Sequence, residues 1–254
     1  MTGGDEALVR IRNLSKTYAR KGGDGVQALT DIDFDIRSGE ILSLIGPSGC
    51  GKSSLLRILA GLDTGYDGDV TWTEQPEQGR DIGFVFQDAS LLPWRTVLRN
   101  VCLGLEGKGI SKSDRESRGR ELLELVGLQD FAAAYPRELS GGMRQRVAIV
   151  RALAYDPKVL LMDEPFGALD AITRDTLQDD LLRIWEATRK TIIIVTHSVE
   201  EAAYLSDRVV VLTARPGTVA SIETVPLDRE RTPQTRERPE FAAFAGELRS
   251  GLSS

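Results

Sequence analysis

Two long stretches near the start of the chain, 8–18 and 26–36, alternate apolar and polar positions. In the second, Ile32, Phe34 and Ile36 share one face between Asp31, Asp33 and Asp35. A period of two predicts half-buried strands, and the Gly-rich segment 21–25 between them predicts an antiparallel pair joined by a turn. Four further runs, 41–46, 159–164, 192–196 and 208–213, are apolar almost throughout. Such runs read as strands buried on both faces. Helical spacing over 52–62, 171–189 and 198–206 separates them, so the pattern predicts a mainly parallel sheet covered by helices. Two short strands are expected at 69–73 and 82–86.

From 88 to 154 the texture changes. Leu122, Leu123, Leu125 and Val126 recur at helical spacing, Ser113 with Glu116 reads as a capping box, and 142–155 reads as a second helix. The expectation is one α/β unit over 1–254. Its core, with an antiparallel β subdomain, takes 1–87 and 155–227, and a helical subdomain over 88–154 is inserted into it. The segment 228–240 holds four acids and four arginines, so 228–254 is expected to be a linker and a short helix.

Composition narrows the function. With 254 residues, 41% hydrophobic and 28% charged, the chain can bury a core and is not expected to be disordered. Lys plus Arg is 32 against 38 Asp plus Glu, a net charge of −6; this gives no basic footprint for nucleic acid. The single histidine, His197, rules out zinc sites built on two, and two cysteines, Cys50 and Cys102, rule out a four-thiolate cluster. So few cysteines point to a reducing compartment. No secretory signal and no apolar run near 18 residues is apparent. Any membrane role is therefore expected to come through a partner.

The chemistry is concentrated in a few motifs. Gly46, Pro47, Ser48, Gly49, Cys50, Gly51, Lys52 and Ser53 match G-x-x-x-x-G-K-[ST], between a strand and a helix. Glycines let backbone N–H groups close on phosphate oxygens, and the helix start adds its dipole. Lys52 is expected to neutralise the β- and γ-phosphates, Ser53 to reach Mg²⁺, and Ser54 to join the ATP-binding residues of the loop. A helix start also activates a thiol, so Cys50 alkylation is expected to block nucleotide binding, with ATP protecting; the other reading makes Cys50 an inert small residue. Asp163 and Glu164 end the 159–162 run, where an open parallel sheet presents ligands. Asp163 is expected to hold Mg²⁺ and Glu164 to orient and deprotonate water. A second Gly-rich helix start, Ser140-Gly141-Gly142, makes another anion nest. One nucleotide does not need both nests from one chain, so two copies facing each other are expected.

At this point the chain resembles the ATP-binding subunits of ABC transporters, P-loop NTPases with a RecA-like core. LSGGMRQR at 139–146 is similar to the family signature, with Met143 where many members carry Gln. Gln87 resembles the Q-loop residue, Ala168-Leu169-Asp170 the D-loop, and His197 the switch histidine. Tyr18 resembles the aromatic residue that stacks on adenine. The resemblance implies an ATPase acting as an ATP-sandwich homodimer. Lys52, Gln87, Glu164 and His197 would be catalytic; Ser53, Gln87 and Asp163 would hold Mg²⁺; Ser140, Gly141, Gly142 and Asp170 would act in trans on the partner's ATP. The segments 90–101, 166–170 and 213–219 resemble the nitrate, sulfonate and taurine importer ATPases. About 40 residues follow Ala214, too few for the C-terminal β-domain of several other importer groups. That implies transmembrane permease subunits, indirectly a solute-binding protein, a place on the cytoplasmic membrane face, and uptake of a small anion. The alternatives are a soluble ABC ATPase acting on nucleic acid or ribosomes, or an importer ATPase for a different solute class. Leu91, Leu92, Pro93 and Trp94 would form the permease docking patch; the other reading packs Trp94 inside the helical lobe.

Overall fold

The computed structural model describes residues 6–20, 23–77 and 80–252. Its central sheet has six strands: β3 (Ile41–Ile45), β5 (Ile82–Val85), β6 (Val159–Asp163), β7 (Thr191–Val195), β8 (Arg208–Leu212) and β9 (Val219–Thr224). Their order is β5-β6-β7-β3-β8-β9. The first five run parallel and β9 closes one edge antiparallel to β8. A second sheet is antiparallel, with β1 (Ala7–Arg20) between β2 (Gly23–Arg37) and β4 (Asp67–Trp72).

The apolar runs conceal an alternation that their hydropathy does not show. Ile41 and Ile45 of β3, Leu160 and Met162 of β6, Ile192 and Ile194 of β7, and Val209 and Val211 of β8 enter one core. Leu42, Leu44, Val159, Leu161, Ile193, Val195, Val210 and Leu212 enter another. Successive side chains of a strand leave opposite faces, so a strand covered on both sides must be apolar at every position. The second core is closed by α1 (Lys52–Leu59) and the antiparallel sheet. The first is closed by α2 (Val97–Val101), α3 (Lys112–Leu125), α4 (Gly141–Leu153), α5 (Ala171–Thr188), α6 (Val199–Leu205) and α7 (Pro239–Leu252). The one polar residue inside β3, Ser43, is fully buried and accepts a hydrogen bond from Ser206 Oγ at 2.6 Å, as a buried hydroxyl requires.

Three expectations change. The N-cap of α3 is Ser111, whose Oγ accepts from the Asp114 N–H, so the cap lies two residues before the expected Ser113 box. Strand β9 was not expected. The final helix is not short: α7 runs 14 residues, with Phe241, Phe244, Ala245 and Leu248 buried and Phe241 edge-on to Tyr204 of α6.

Candidate active site

Strand β3 ends at Ile45 and α1 begins at Lys52, so 46–51 must turn within a few residues. Gly49 and Gly51 do so at φ +78° and +103°, conformations that side-chain-bearing residues avoid. Lys52 is buried and its ammonium donates to Gly46 O at 2.7 Å and Pro47 O at 3.0 Å. Ser48, Gly49, Gly51, Lys52, Ser53, Ser54, Tyr18, Glu164 and Arg215 line one open cleft of about 230 Å³. Tyr18 is 37% exposed, and its hydroxyl lies 3.0 Å from Ser54 Oγ and 3.2 Å from Asp63 Oδ2. Lys16 sits 4.7 Å from the centre of its ring.

Ser53 Oγ donates to Asp163 Oδ1 at 2.8 Å, joining the phosphate loop to the end of β6. Burial pushes the Asp163 carboxyl up from its ordinary value, the Ser53 hydrogen bond opposes this, and the Glu164 charge adds to it. An alcohol and a carboxylate oxygen at this spacing suit Mg²⁺, which takes few protein oxygens and shares phosphate oxygens. Among the described residues no cluster of three or more His, Cys, Asp or Glu side chains forms, so an all-protein cage for a metal is absent there.

Glu164 holds φ +46°, a conformation costly for a residue with a side chain and typical of sites where the surroundings impose it. Its N–H donates to Val195 O at 2.9 Å, which fixes it beside the end of β7. His197, two residues beyond β7, brings Nδ1 to 3.2 Å from Glu164 Oε2. Gln87, just past β5, approaches from the other flank. A Cβ on Gly167 would lie 3.3 Å from Gln87 Nε2 and 3.6 Å from Glu164 Oε2.

Ser140 caps α4 by accepting from the Met143 N–H, and Asp170 caps α5 by accepting from the Thr173 N–H at 3.0 Å. That backbone hydrogen bond holds the Asp170 carboxyl below its ordinary range. The two helix starts touch: a methyl on Gly142 would collide with Thr173 Cγ2. Gly141, with Gln87, Pro165, Ala168 and Leu169, lines a different cleft of about 330 Å³. The signature residues 140–142 thus do not line the phosphate-loop cleft of their own chain.

One expectation is corrected here, and one open alternative is decided. The Cys50 side chain is fully buried, with Sγ 3.7 Å from Lys52 Nζ and a Cβ on Gly46 placed 2.8 Å from it, so the thiol faces the underside of the loop. Trp94 does not pack inside the helical lobe; it is 72% exposed. Asn100, fully buried, explains why: its Nδ2 donates to Leu92 O, Arg95 O and Thr96 O, each at 3.1 Å, and its Oδ1 accepts from Leu92 N–H at 2.8 Å. This clamp holds 92–96 as a rigid bend with Trp94 at its tip. Trp94 lines a groove of about 330 Å³ with Arg95, Leu98, Arg99, Cys102, Glu106, Lys112, Arg115 and Glu116.

Some participants were not legible in the motifs. Arg215 reaches the phosphate loop, its Nε donating to Gly49 O at 3.0 Å. Glu201, buried in α6, accepts from Thr196 Oγ1 at 2.5 Å, next to His197, and faces Arg174 Nε at 3.6 Å. Arg174 in turn donates to Leu169 O at 2.9 Å.

The model of the family described as ABC transporter matches residues 29–167. The chain is 45% identical to a taurine import ATP-binding protein of Rhizobium johnstonii, over 97% of each chain. It is 46% identical to a nitrate import ATP-binding protein of Synechocystis, over 96% of this chain and 94% of that one. With an uncharacterized ABC transporter ATP-binding protein of Methanocaldococcus jannaschii it shares 51% identity over 93% and 88%. A dimeric ABC cassette solved after hydrolysis with ADP and Pi superposes with a TM-score of 0.75 at 35% identity, over 87% of this chain and all of that one.

Proposed function

The chain belongs to the ABC transporter family and is an ATP-binding ATPase, and from that premise we propose that it powers uptake of a small anion such as nitrate, a sulfonate or taurine. The names of the taurine and nitrate import relatives support the solute class. The partners are a second copy of the chain and transmembrane permease subunits, with a solute-binding protein acting through the permease. The site of action is the cytoplasmic face of the membrane. No helix among the described residues is long and apolar enough to cross a bilayer, in keeping with a membrane span supplied by another chain.

ATP lies in the phosphate-loop cleft, its adenine on Tyr18. Its phosphates meet the N–H groups of 46–54 and the Lys52 ammonium. Ser53, Asp163 and Gln87 would hold Mg²⁺, which when bound would neutralise charge on the β- and γ-phosphates. Glu164 takes the proton of the attacking water, and His197 holds the Glu164 carboxylate while facing the γ-phosphate. Ser140, Gly141, Gly142 and Asp170 complete the site from the other copy.

The observation that carries this reading is the separation of the two clefts. The phosphate loop and the signature helix start, both built to bind anions, share no lining residue. Two copies arranged head to tail bring one onto the other, and ATP between them closes the pair. Glu164→Gln tests it: hydrolysis should slow at least about 10²-fold, as loss of a general base does, and ATP should trap a stable dimer on gel filtration. Turnover near that of the parent, or a chain that stays monomeric in ATP, would refute it.

A further inference from the structure

We infer that Arg215 is a positioning residue for the phosphate loop, a latch from the β8–β9 turn that sets the loop in its anion-binding conformation. The inference rests on the reading of this cleft as the ATP site.

The turn is a stiff platform. Thr213 N–H donates to Thr218 O at 3.0 Å, and Thr218 N–H donates to Thr213 Oγ1 at 2.9 Å. Gly217 N–H donates to Ala28 O at 3.0 Å and Gly217 O accepts from Thr30 N–H at 2.9 Å, which ties the turn to β2. It lies directly against the loop, since a Cβ on Gly217 would collide with Cys50 O. From this platform the Arg215 Nε reaches Gly49 O, and a Cβ on Gly49 would sit 3.3 Å from Arg215 Nη2. The guanidinium therefore lies across Gly49, where the absence of a side chain leaves it room.

The consequence follows from peptide geometry. In a planar trans peptide the carbonyl and the next N–H point in opposite directions. Holding Gly49 O toward Arg215 turns the Cys50 N–H away from Arg215, toward Pro47 O, which accepts it at 3.3 Å. That is a long bond, and an anionic phosphate oxygen makes a shorter and stronger one. Without the latch the Gly49 carbonyl loses its side-chain donor and the 49–50 peptide keeps only that long hydrogen bond, at a Gly whose backbone has the widest choice of conformations. Ordering it then opposes binding of the phosphates. Among the described residues the Nη groups have no protein partner, and the side chain lines the cleft that Lys52 and Ser53 also line.

The test uses the full chain and three substitutions of this exposed residue. Gln places its Nε2 at the same number of bonds from Cα as the Nε of Arg, so it keeps the donor and removes the charge. Lys keeps the charge and loses that donor. Binding of ATP and ADP is measured by titration, and ATP turnover by phosphate release. Arg215→Ala should weaken ATP and ADP binding about tenfold, the scale of one lost charge-assisted hydrogen bond at an open site. kcat at saturating ATP should stay within about twofold, since no reacting atom is touched. Arg215→Gln should recover most of the affinity and Arg215→Lys little. Affinity unchanged in Arg215→Ala, or recovery by Lys and not Gln, overturns the latch. Lys52→Ala separates the two readings: if it too binds ATP like the parent, the assignment of the cleft fails, not the latch alone.

Discussion

Trp94→Ala separates a docking residue from a packing residue, because the two readings differ in which equilibrium moves. A tryptophan side chain offers roughly 150–250 Å², and 72% of Trp94 is exposed. About 110–180 Å² is therefore left for a partner to cover, worth a ceiling of about 3–4.5 kcal/mol at ~25 cal/mol per Å². Docking also orders the side chain and desolvates its neighbours, so about 2–4 kcal/mol is the expected loss on truncation, in the hot-spot range. The Kd for permease-containing vesicles should rise about 30- to 1,000-fold. The fold should scarcely notice. An exposed substitution moves stability by at most about 0.5 kcal/mol, or about 1–2 °C of Tm in a chain of this size. The internal control is Leu98→Ala, from the wall of the same groove. Leu98 is buried in the helical core, and its truncation should cost about 2–5 kcal/mol. A Tm loss for Trp94→Ala comparable with that of Leu98→Ala would show that Trp94 packs within the lobe. An unchanged Tm with unchanged vesicle binding would refute the docking patch.

Asp163→Asn should stabilise the nucleotide-free chain while abolishing Mg²⁺-dependent turnover. The folded carboxyl titrates above its ordinary 3.8, so the folded state binds the proton more tightly and ionisation costs stability. The variant's Tm advantage should be near zero below that ordinary value and grow as pH rises through the raised one. Melts at acid and neutral pH check this, and a variant less stable than the parent at neutral pH refutes it. Glu201→Gln keeps an acceptor for Thr196 but removes the charge facing Arg174. Burial pushes the Glu201 carboxyl up from its ordinary value, outweighing the Thr196 hydrogen bond and the Arg174 charge, so neutralising it should leave stability at neutral pH unchanged or slightly raised. kcat should fall more than KM changes; a kcat like the parent's would refute the positioning role, and a clear loss in the urea midpoint would refute the stability reading. Cys50, buried beneath the loop, should be alkylated far more slowly than in urea, and ATP should slow it further by suppressing local opening. Labelling in native buffer at the rate seen in urea would contradict the burial.

What was legible from the sequence follows physical lines. Strands β3, β6, β7 and β8 stood out because both faces are covered, so nearly every position is apolar. Strand β9 did not, because it is an edge strand with no fully buried residue. Its apolar residues Val219 and Ile222 fall on opposite faces, and pairing with β8 holds it in place. The α3 cap was misplaced because Ser111 and Ser113 offer the same chemistry two residues apart; in the fold their hydroxyls lie 2.8 Å from each other, and only backbone position decides between them. In the site, the contiguous motifs were legible because each needs its residues at fixed spacing around one strand end. Lys52, Ser53, Asp163, Glu164 and His197 accordingly converge at the ends of β3, β6 and β7.

The supports of that site were not legible, because they join segments remote in sequence and carry no spacing. Arg215 meets Gly49 across 166 positions. The D-loop and the histidine turn are joined by a continuous run of contacts: Leu169 O to Arg174, Arg174 to Glu201, Glu201 to Thr196 Oγ1, and Thr196 Oγ1 to the Ser198 N–H at 3.0 Å. His197 sits between the last two residues. A displacement of 168–170 would shift Arg174, whose Nη2 donates to Leu169 O, and so the charge facing Glu201 beside the His197 turn. This run of contacts joins the Asp170 and His197 segments within the chain, although the first is proposed to serve the other copy's ATP and the second its own. In the proposed head-to-tail pair this run of contacts offers a route by which engagement of one ATP would be felt at the other. Its weakest link is the Arg174–Glu201 contact: at 3.6 Å it is an ion pair and not a hydrogen bond, and Arg174 Nε has no hydrogen-bond partner. Non-additive losses of turnover in a Glu201→Gln and Asp170→Ala double-mutant cycle would locate the coupling there, and additive losses would show that the two ends act independently.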